Sequence, residues 1–394
     1  MFTLRRYRAL FDVPGLAAAF LASILGRLPI GVAGFSILLY VQTRSHSFAQ
    51  AGVASAVYVL GLAVVAPALG RLIDRLGPRP VMTVCSLVYP VALAALIAAV
   101  ETGAHPLWVI AAALVAGSAL PPVSVCMRAV FPRVVTDPAL LPTAYSLDSA
   151  LVELIFIVGP MLVAVCMAFG YPAVGVGLAA VSATVGTSIF LRADIVRDWR
   201  PAREPGSVAG RGPLRRPQLL LVYAITLCYS VAFGLFEVAV TAFATAAGHP
   251  ALGGVALAMA SVGSAAGAIV YGSRHWHQPL KRQFLVSMLA MATSILLMAP
   301  LDSLIGFTLV AVIAGVPMAT VISIQSLLVS SLTPREMLAE SFTWGTTCLL
   351  GGISAGLAVG GVLVERVAPG GAMATAAAIT AAGAALTVAL RNPD

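Results

Sequence analysis

Apolar residues run in blocks of about 20 residues or more, the length a helix needs to cross a bilayer core, separated by short polar stretches along nearly the whole chain. The blocks fall at 15–42, 48–69, 80–100, 106–130, 142–168 and 172–191, and again at 218–246, 251–273, 284–300, 303–330, 340–364 and 370–390. Twelve spanning helices are expected, six on either side of a polar stretch from Arg192 to Pro217. That stretch holds seven Arg with Pro, Gly and Ser and has no apolar periodicity, so it is expected to be a flexible linker, with a short surface helix near Ile195 to Trp199. The expected organisation is a six-helix bundle over 1–191, a linker over 192–217 and a second six-helix bundle over 218–394.

Composition agrees with a polytopic membrane protein. Of 394 residues 60% are hydrophobic and 10% charged, and the mean hydropathy is +1.00. The net charge of +8 does not point to nucleic acid, because the basic residues, all Arg except Lys281, are dispersed among short loops. Their distribution reports orientation instead. With the N-terminus inside, twenty of the 23 fall in inside segments, against Arg44 and Arg366 outside and Arg27 within a span. Both termini are therefore expected in the cytoplasm. The run after Arg5, Arg6 and Arg8 is too long for a signal-peptide core and is expected to be the first spanning helix. The five cysteines all lie inside apolar runs without paired spacing, as small buried apolar residues do.

The most informative polar stretch is Gly70-Arg71-Leu72-Ile73-Asp74-Arg75-Leu76-Gly77-Pro78-Arg79. Three Arg and one Asp cannot rest in lipid, so it must be a tight hairpin at the cytoplasmic surface, with Gly70 letting two helix ends approach and Gly77-Pro78 stopping one helix and starting the next. An internal repeat accompanies it. Ala51-Gly52-Val53-Ala54 matches Gly253-Gly254-Val255-Ala256, Gly61 matches Gly263 and Gly70 matches Gly272 at an offset of 202, while Leu141, Ala144 and Tyr145 match Leu338, Ser341 and Phe342 at an offset of 197. The hairpin resembles the loop between helices 2 and 3 of the major facilitator superfamily, and with the repeat and the central linker the chain is similar to that family over essentially its whole length. The nearest resemblance is to its bacterial efflux-like twelve-helix branch.

The resemblance implies an all-α membrane protein of two pseudo-symmetric six-helix bundles, in the bacterial inner (plasma) membrane, with substrate held between the halves near the midplane. It implies proton-coupled efflux of small amphipathic or hydrophobic compounds by alternating access, acting as a monomer. A proton-coupled importer of a small nutrient and a non-transporting scaffold or receptor are the alternatives. It also implies a gating motif of Gly70, Asp74, Arg75, Gly77 and Arg79, in which Asp74 faces the start of helix 11 near Ala339, where unpaired N–H groups favour a carboxylate. Arg128 is a candidate ionic neighbour of Asp74.

Charges within spans are the other candidates, since burying one costs several kcal/mol. Arg27 in helix 1 and Glu153 in helix 5 should reach similar depth, so their pairing is the leading expectation, with Asp148 the competing partner. Asp148 and Glu153 stand about 140° apart around a helix and cannot both face one point. One of them is left either as part of a structural pair or as a proton carrier. Glu237, a lone acid in helix 7, is a further candidate for proton or cation recognition. Gly159-Pro160 partly resembles an exporter motif in helix 5, and Ala113 stands where the family's exporter-type arginine would fall in helix 4. Pro121-Pro122 and Pro317 are expected to bend helices 4 and 10 beside a cavity. Tyr145, Tyr229, Gln325 and Trp344, with Tyr40 and Tyr58, could supply substrate contacts. His275-x-His277 lacks a third ligand, and no Walker, serine-triad or His-Glu-x-x-His pattern occurs. Neither a metal, nor a cofactor, nor an enzymatic activity is expected.

Overall fold

The computed structural model describes residues 5–169, 171–199, 212–249, 251–301 and 303–391, so residues 200–211 of the expected linker lie outside the described residues. The described chain is built of helices: α1 Leu16–Ser45, α2 Phe48–Leu76, α3 Pro78–Glu101, α4 Pro106–Val134, α5 Leu141–Ala168, α6 Pro172–Phe190, α7 Pro217–Ala246, α8 Ala251–Gly272, α9 Leu280–Leu296, α10 Leu304–Leu332, and α11 and α12 within Leu338–Leu386. The last segment is two helices, because Val367 and Ala368 leave helical geometry, Ala368 at φ 58°, just before Pro369. Ten segments, counting that pair as one, are long and apolar enough to cross a membrane. At 17 residues, α9 is slightly shorter. The architecture is that of an all-α membrane protein.

Several boundaries differ from the expected ones for local reasons. The charged residues after Gly70 continue α2 for a further turn and more, and the helix stops only at Gly77, whose φ of 84° suits glycine, with Pro78 opening α3. Pro279 rather than the Lys281-Arg282 pair sets the start of α9, moving it four residues towards the N-terminus of the expected 284–300. Proline also breaks two helices. In α1 the ladder is interrupted at Leu28-Pro29, and in α4 between Ser118 and Val123, where Pro121 and Pro122 lack N–H groups.

The two halves share a packing code. A Cβ added to Gly159 of α5 would lie 2.6 Å from the carbonyl of Gly31 in α1, and one added to Gly356 of α11 would lie 3.0 Å from Gly234 Cα in α7. Gly117 of α4 packs on the backbone of Tyr58 in α2, as Gly315 of α10 packs on Ala260 in α8. These close approaches recur in the second half within one residue of the offsets of 202 and 197 read from the sequence. In lipid, where helices gain nothing from mutual apolar burial, contact between small residues is what holds such helices together.

Between the halves, α2 packs on α11, and α5 packs on α8 and α10. The turns α2–α3, α4–α5, α8–α9 and α10–α11 lie at one end with the short helix Arg5–Phe11, and this is called here the basic end.

The glycine contacts are testable. Gly159→Leu must push α5 off α1 and is expected to cost about 1–3 kcal/mol or more, lowering the melting temperature of the detergent-solubilised protein. Gly177→Leu, where an added Cβ meets nothing within 4 Å, is expected to leave it unchanged.

Candidate functional site

Helix starts carry N–H groups with no partner inside the helix. At the start of α11 two of these, on Ala339 and Glu340, donate to the Asp74 carboxylate at 3.1 and 2.8 Å. Asp74 comes from α2, in the other half, and is buried. One turn earlier in α2, Arg71 Nη2 lies 2.6 Å from Glu340 Oε1. Gly70 makes the approach possible, since a Cβ there would lie 2.8 Å from the Ala339 carbonyl oxygen. Arg75 and Arg79 are exposed. Arg128, the expected ionic neighbour of Asp74, is engaged elsewhere: its Nε donates to Asp148 Oδ2 at 2.7 Å.

The symmetry-related side of the seam has no charge pair among the described residues, and its bonds end on backbone carbonyls. Thr143 Oγ1 donates to the Gly272 carbonyl at 2.7 Å, and the buried phenol of Tyr7 donates to the Ile269 carbonyl at 2.7 Å. Burial pushes the Tyr7 hydroxyl up to about 12, so it remains a donor at physiological pH. Arg133 donates to the Arg335 carbonyl at 2.8 Å, and Arg335 to that of Pro132 at 3.4 Å. All these contacts between the halves lie at the basic end.

Inside the first half, Arg27 pairs with Asp148, Nη1 to Oδ1 at 2.6 Å, rather than with Glu153. Arg27 sits at the break in α1, Arg128 on the segment of α4 after its break, and Asp148 on α5 bridges them. The face of α5, not depth alone, decides the pairing. One carboxylate thus serves two guanidiniums, and a net positive charge is held in apolar surroundings. The Arg27–Asp148 contact is short but off-angle, and among the described residues the Arg27 Nε and Nη2 donors have no hydrogen-bond partner.

Glu153 is on the opposite side of α5, at the seam. It accepts a hydrogen bond from Ser264 Oγ of α8 at 2.9 Å. The Ser264 hydroxyl in turn accepts from the backbone N–H of Ala319 at 2.9 Å, two residues past Pro317 in α10. Among the described residues no cation forms an ion pair with Glu153.

The remaining candidates are scattered. The side chain of Glu237 is exposed on α7 and, among the described residues, has no partner. Tyr145 is buried, donating to the Arg128 carbonyl at 3.2 Å and packing edge-on against Phe131. Tyr229 and Gln325 are buried, and Trp344 is half-buried. None of these four lines either of two cavities. One, of 510 Å³, lies within the first half at the end opposite the basic one, around Val41, Arg44 and Val109. The other, of 1020 Å³, opens at the basic end between the halves. The sequence reading missed Glu340 and Ser264. Glu340 had a signal, as a lone acid at the start of a span beside an Arg-bearing hairpin. Ser264 had none, since small hydroxyl residues are common in such helices.

The Arg27–Asp148–Arg128 cluster predicts an order of stabilities. Asp148→Asn leaves two guanidiniums facing each other without a counter-ion and is expected to cost ~3–5 kcal/mol. Arg27→Met leaves Asp148 paired with Arg128 and is expected to cost less. Melting temperatures of the two variants check the order.

The comparisons with known proteins agree with this architecture. Residues 19–356 match the family model described as Major Facilitator Superfamily. An uncharacterized MFS-type transporter, y4rN, of Sinorhizobium fredii (strain NBRC 101917 / NGR234) is 26% identical over 288 residues, which is 68% of each chain. Among solved structures, the human organic anion transporter MFSD10 (TETRAN) superposes with a TM-score of 0.73 at 15% identity, covering 94% of this chain and 98% of that one. A bacterial homologue of the iron transporter ferroportin, in an outward-facing state, gives 0.74 at 11% identity, covering 95% and 99%. At such identities these two structures speak for the fold alone, but the family model covers most of the sequence, and the chain belongs to the major facilitator superfamily.

Proposed function

We propose that this chain is a proton-coupled exporter of small amphipathic or hydrophobic compounds, working by alternating access between its two halves. The observation that carries the proposal is Glu153, an acid at the seam that accepts a hydrogen bond from the Ser264 hydroxyl of the other half and, among the described residues, has no cationic partner. An ionised carboxylate in such a place is costly by several kcal/mol, and a protonated one is not. The charge state of Glu153 therefore changes the free energy of closing α5 against α8, which is what coupling a proton to a conformational change requires. Protonated, Glu153 gains an O–H donor while its other oxygen can still accept, so its hydrogen bonding to Ser264 can rearrange. Ser264 is tied to the Ala319 N–H in α10, and the rearrangement would be felt at the proline in that helix.

With the Arg-rich loops in the cytoplasm, the contacts at the basic end close the inner side, which is the arrangement of an outward-facing state. In the proposed cycle Glu153 takes its proton from outside, crosses as a neutral group while the halves rock, and gives the proton up inside as cargo moves out. Spanning helices with few charges suit apolar cargo better than sugars, which need many hydrogen-bond partners.

Reconstituted into proteoliposomes with a pH-sensitive dye inside, the wild type is expected to move protons in response to an imposed gradient of a lipophilic amphipathic compound. Glu153→Gln is expected to abolish that proton movement while leaving binding of the compound, read by tryptophan quenching, within about twofold. Unchanged proton movement in Glu153→Gln would remove this residue from the mechanism.

A further inference from the structure

The 1020 Å³ cavity at the basic end lies between the halves, walled by the α4–α5 connection, the α8–α9 turn and the end of α10. Its charge is one-sided. Arg6 and Arg133 of the first half and Arg274 and Arg335 of the second line it with His275, and among the described residues no Asp or Glu lines it. Two acids stand near: Asp137 turns back to accept from the Ala139 N–H at 2.9 Å, and Glu336, which is exposed, offsets part of the Arg133 charge together with Asp74.

Among the described residues none of these arginines forms an ion pair. Arg6 donates to the carbonyls of Arg274, at 2.7 Å, and Ala139. Arg133 and Arg335 each donate to a carbonyl across the seam. A carbonyl is neutral, and each guanidinium has five N–H donors, most of them unused. Two polar groups of the lining are buried without any partner: Arg133 Nε, and Thr333 Oγ1 on a side chain that is 8% exposed. Arg133 is held in place by stacking on Trp199, 4.3 Å from its ring centre, so it is set in position rather than swinging in solvent.

We propose that this cavity binds a phosphate-bearing anion, gripped by arginines of both halves at once. Four like charges around one cavity repel, and a phosphate group with several acceptor oxygens answers both the charge and the spare donors, which guanidinium forks match in pairs. Such a ligand spans the seam and would tie the basic end shut. The phosphate could be a lipid headgroup, since Trp276 at the rim is a residue type of the membrane interface, or a free phosphate compound. The site stands whether or not the chain is an exporter.

The test is thermal unfolding, followed by tryptophan fluorescence, of the full chain in nanodiscs. One arm titrates inorganic pyrophosphate into phosphatidylcholine discs at ionic strength fixed with sodium chloride. The other compares phosphatidylcholine discs with discs containing a quarter phosphatidylglycerol. At least one arm is expected to raise the melting temperature by about 4 °C or more. A response to pyrophosphate alone identifies a soluble ligand, and a response to phosphatidylglycerol alone a lipid. Arg274→Gln, an exposed side chain, is expected to weaken the apparent affinity at least tenfold, and Arg335→Gln likewise, while Arg44→Gln at the opposite end keeps the full response. No shift in either arm, or a shift that survives in both Arg274→Gln and Arg335→Gln, would overturn the proposal.

Discussion

Two backbone N–H groups at the start of α11 have no partner within their own helix, and the Asp74 carboxylate, carried on α2 of the other half, accepts both. That contact depends on features of both helices. Gly70 removes the side chain that would hold α2 away, Gly77 ends α2 just beyond the contact, and Arg71 adds a charge pair to Glu340 one turn along. The rest of the seam at this end is built from single hydrogen bonds to carbonyl groups, such as Thr143 to Gly272 and Tyr7 to Ile269. Each such bond is worth on the order of 1 kcal/mol, so the halves are joined by a small number of modest terms. A seam of that kind can hold one state and still open.

The packing inside each half is of another character. Gly31 against Gly159 and Gly234 against Gly356 bring backbones together over whole helix faces, and nothing in such contacts can be exchanged without repacking the bundle. In the proposed cycle the halves would therefore move as solid bodies, with the motion at the seam. The near-symmetry of these glycines makes the asymmetry of the charges more telling. At the offsets of the packed glycines, 203 from Gly31 to Gly234, 197 from Gly159 to Gly356 and 198 from Gly117 to Gly315, Arg27, Asp148 and Arg128 correspond to Ser230, Gly345 and Ser326. The ionised cluster belongs to the first half alone, and the second half presents hydroxyls, including Ser264 to Glu153.

Much of this was legible in the sequence. Span length follows from bilayer thickness, so the apolar blocks placed the helices, and the glycine repeat marked where helices approach. The position of Asp74 beside the start of α11 followed from a family resemblance together with helix-terminus electrostatics, and the geometry found there is of that kind. The partner of Arg27 was not legible, because depth counted along straight helices does not say which face of α5 turns towards a helix broken at Pro29. Asp148 and Glu153 lie on opposite sides, one turned to the arginines and the other to the seam. Arg128 was assigned to Asp74 from its nearness to the basic end, but a buried carboxylate already shared with Arg27 draws it away. The basic cavity was invisible for a different reason. Arg6, Arg133, Arg274 and Arg335 are far apart in sequence, and each taken alone looks like a residue that only fixes orientation.

The central claim is that the Asp74 contact sets the balance between closed and open at the basic end. Spin-label distances across the two ends test it most directly, with one pair at the exposed positions Leu76 and Leu214 and the other at Trp108 and Ile305. In Asp74→Asn the account predicts a longer Leu76–Leu214 distance together with a shorter Trp108–Ile305 distance than in the otherwise identical parent. Unchanged distributions at both ends would contradict it.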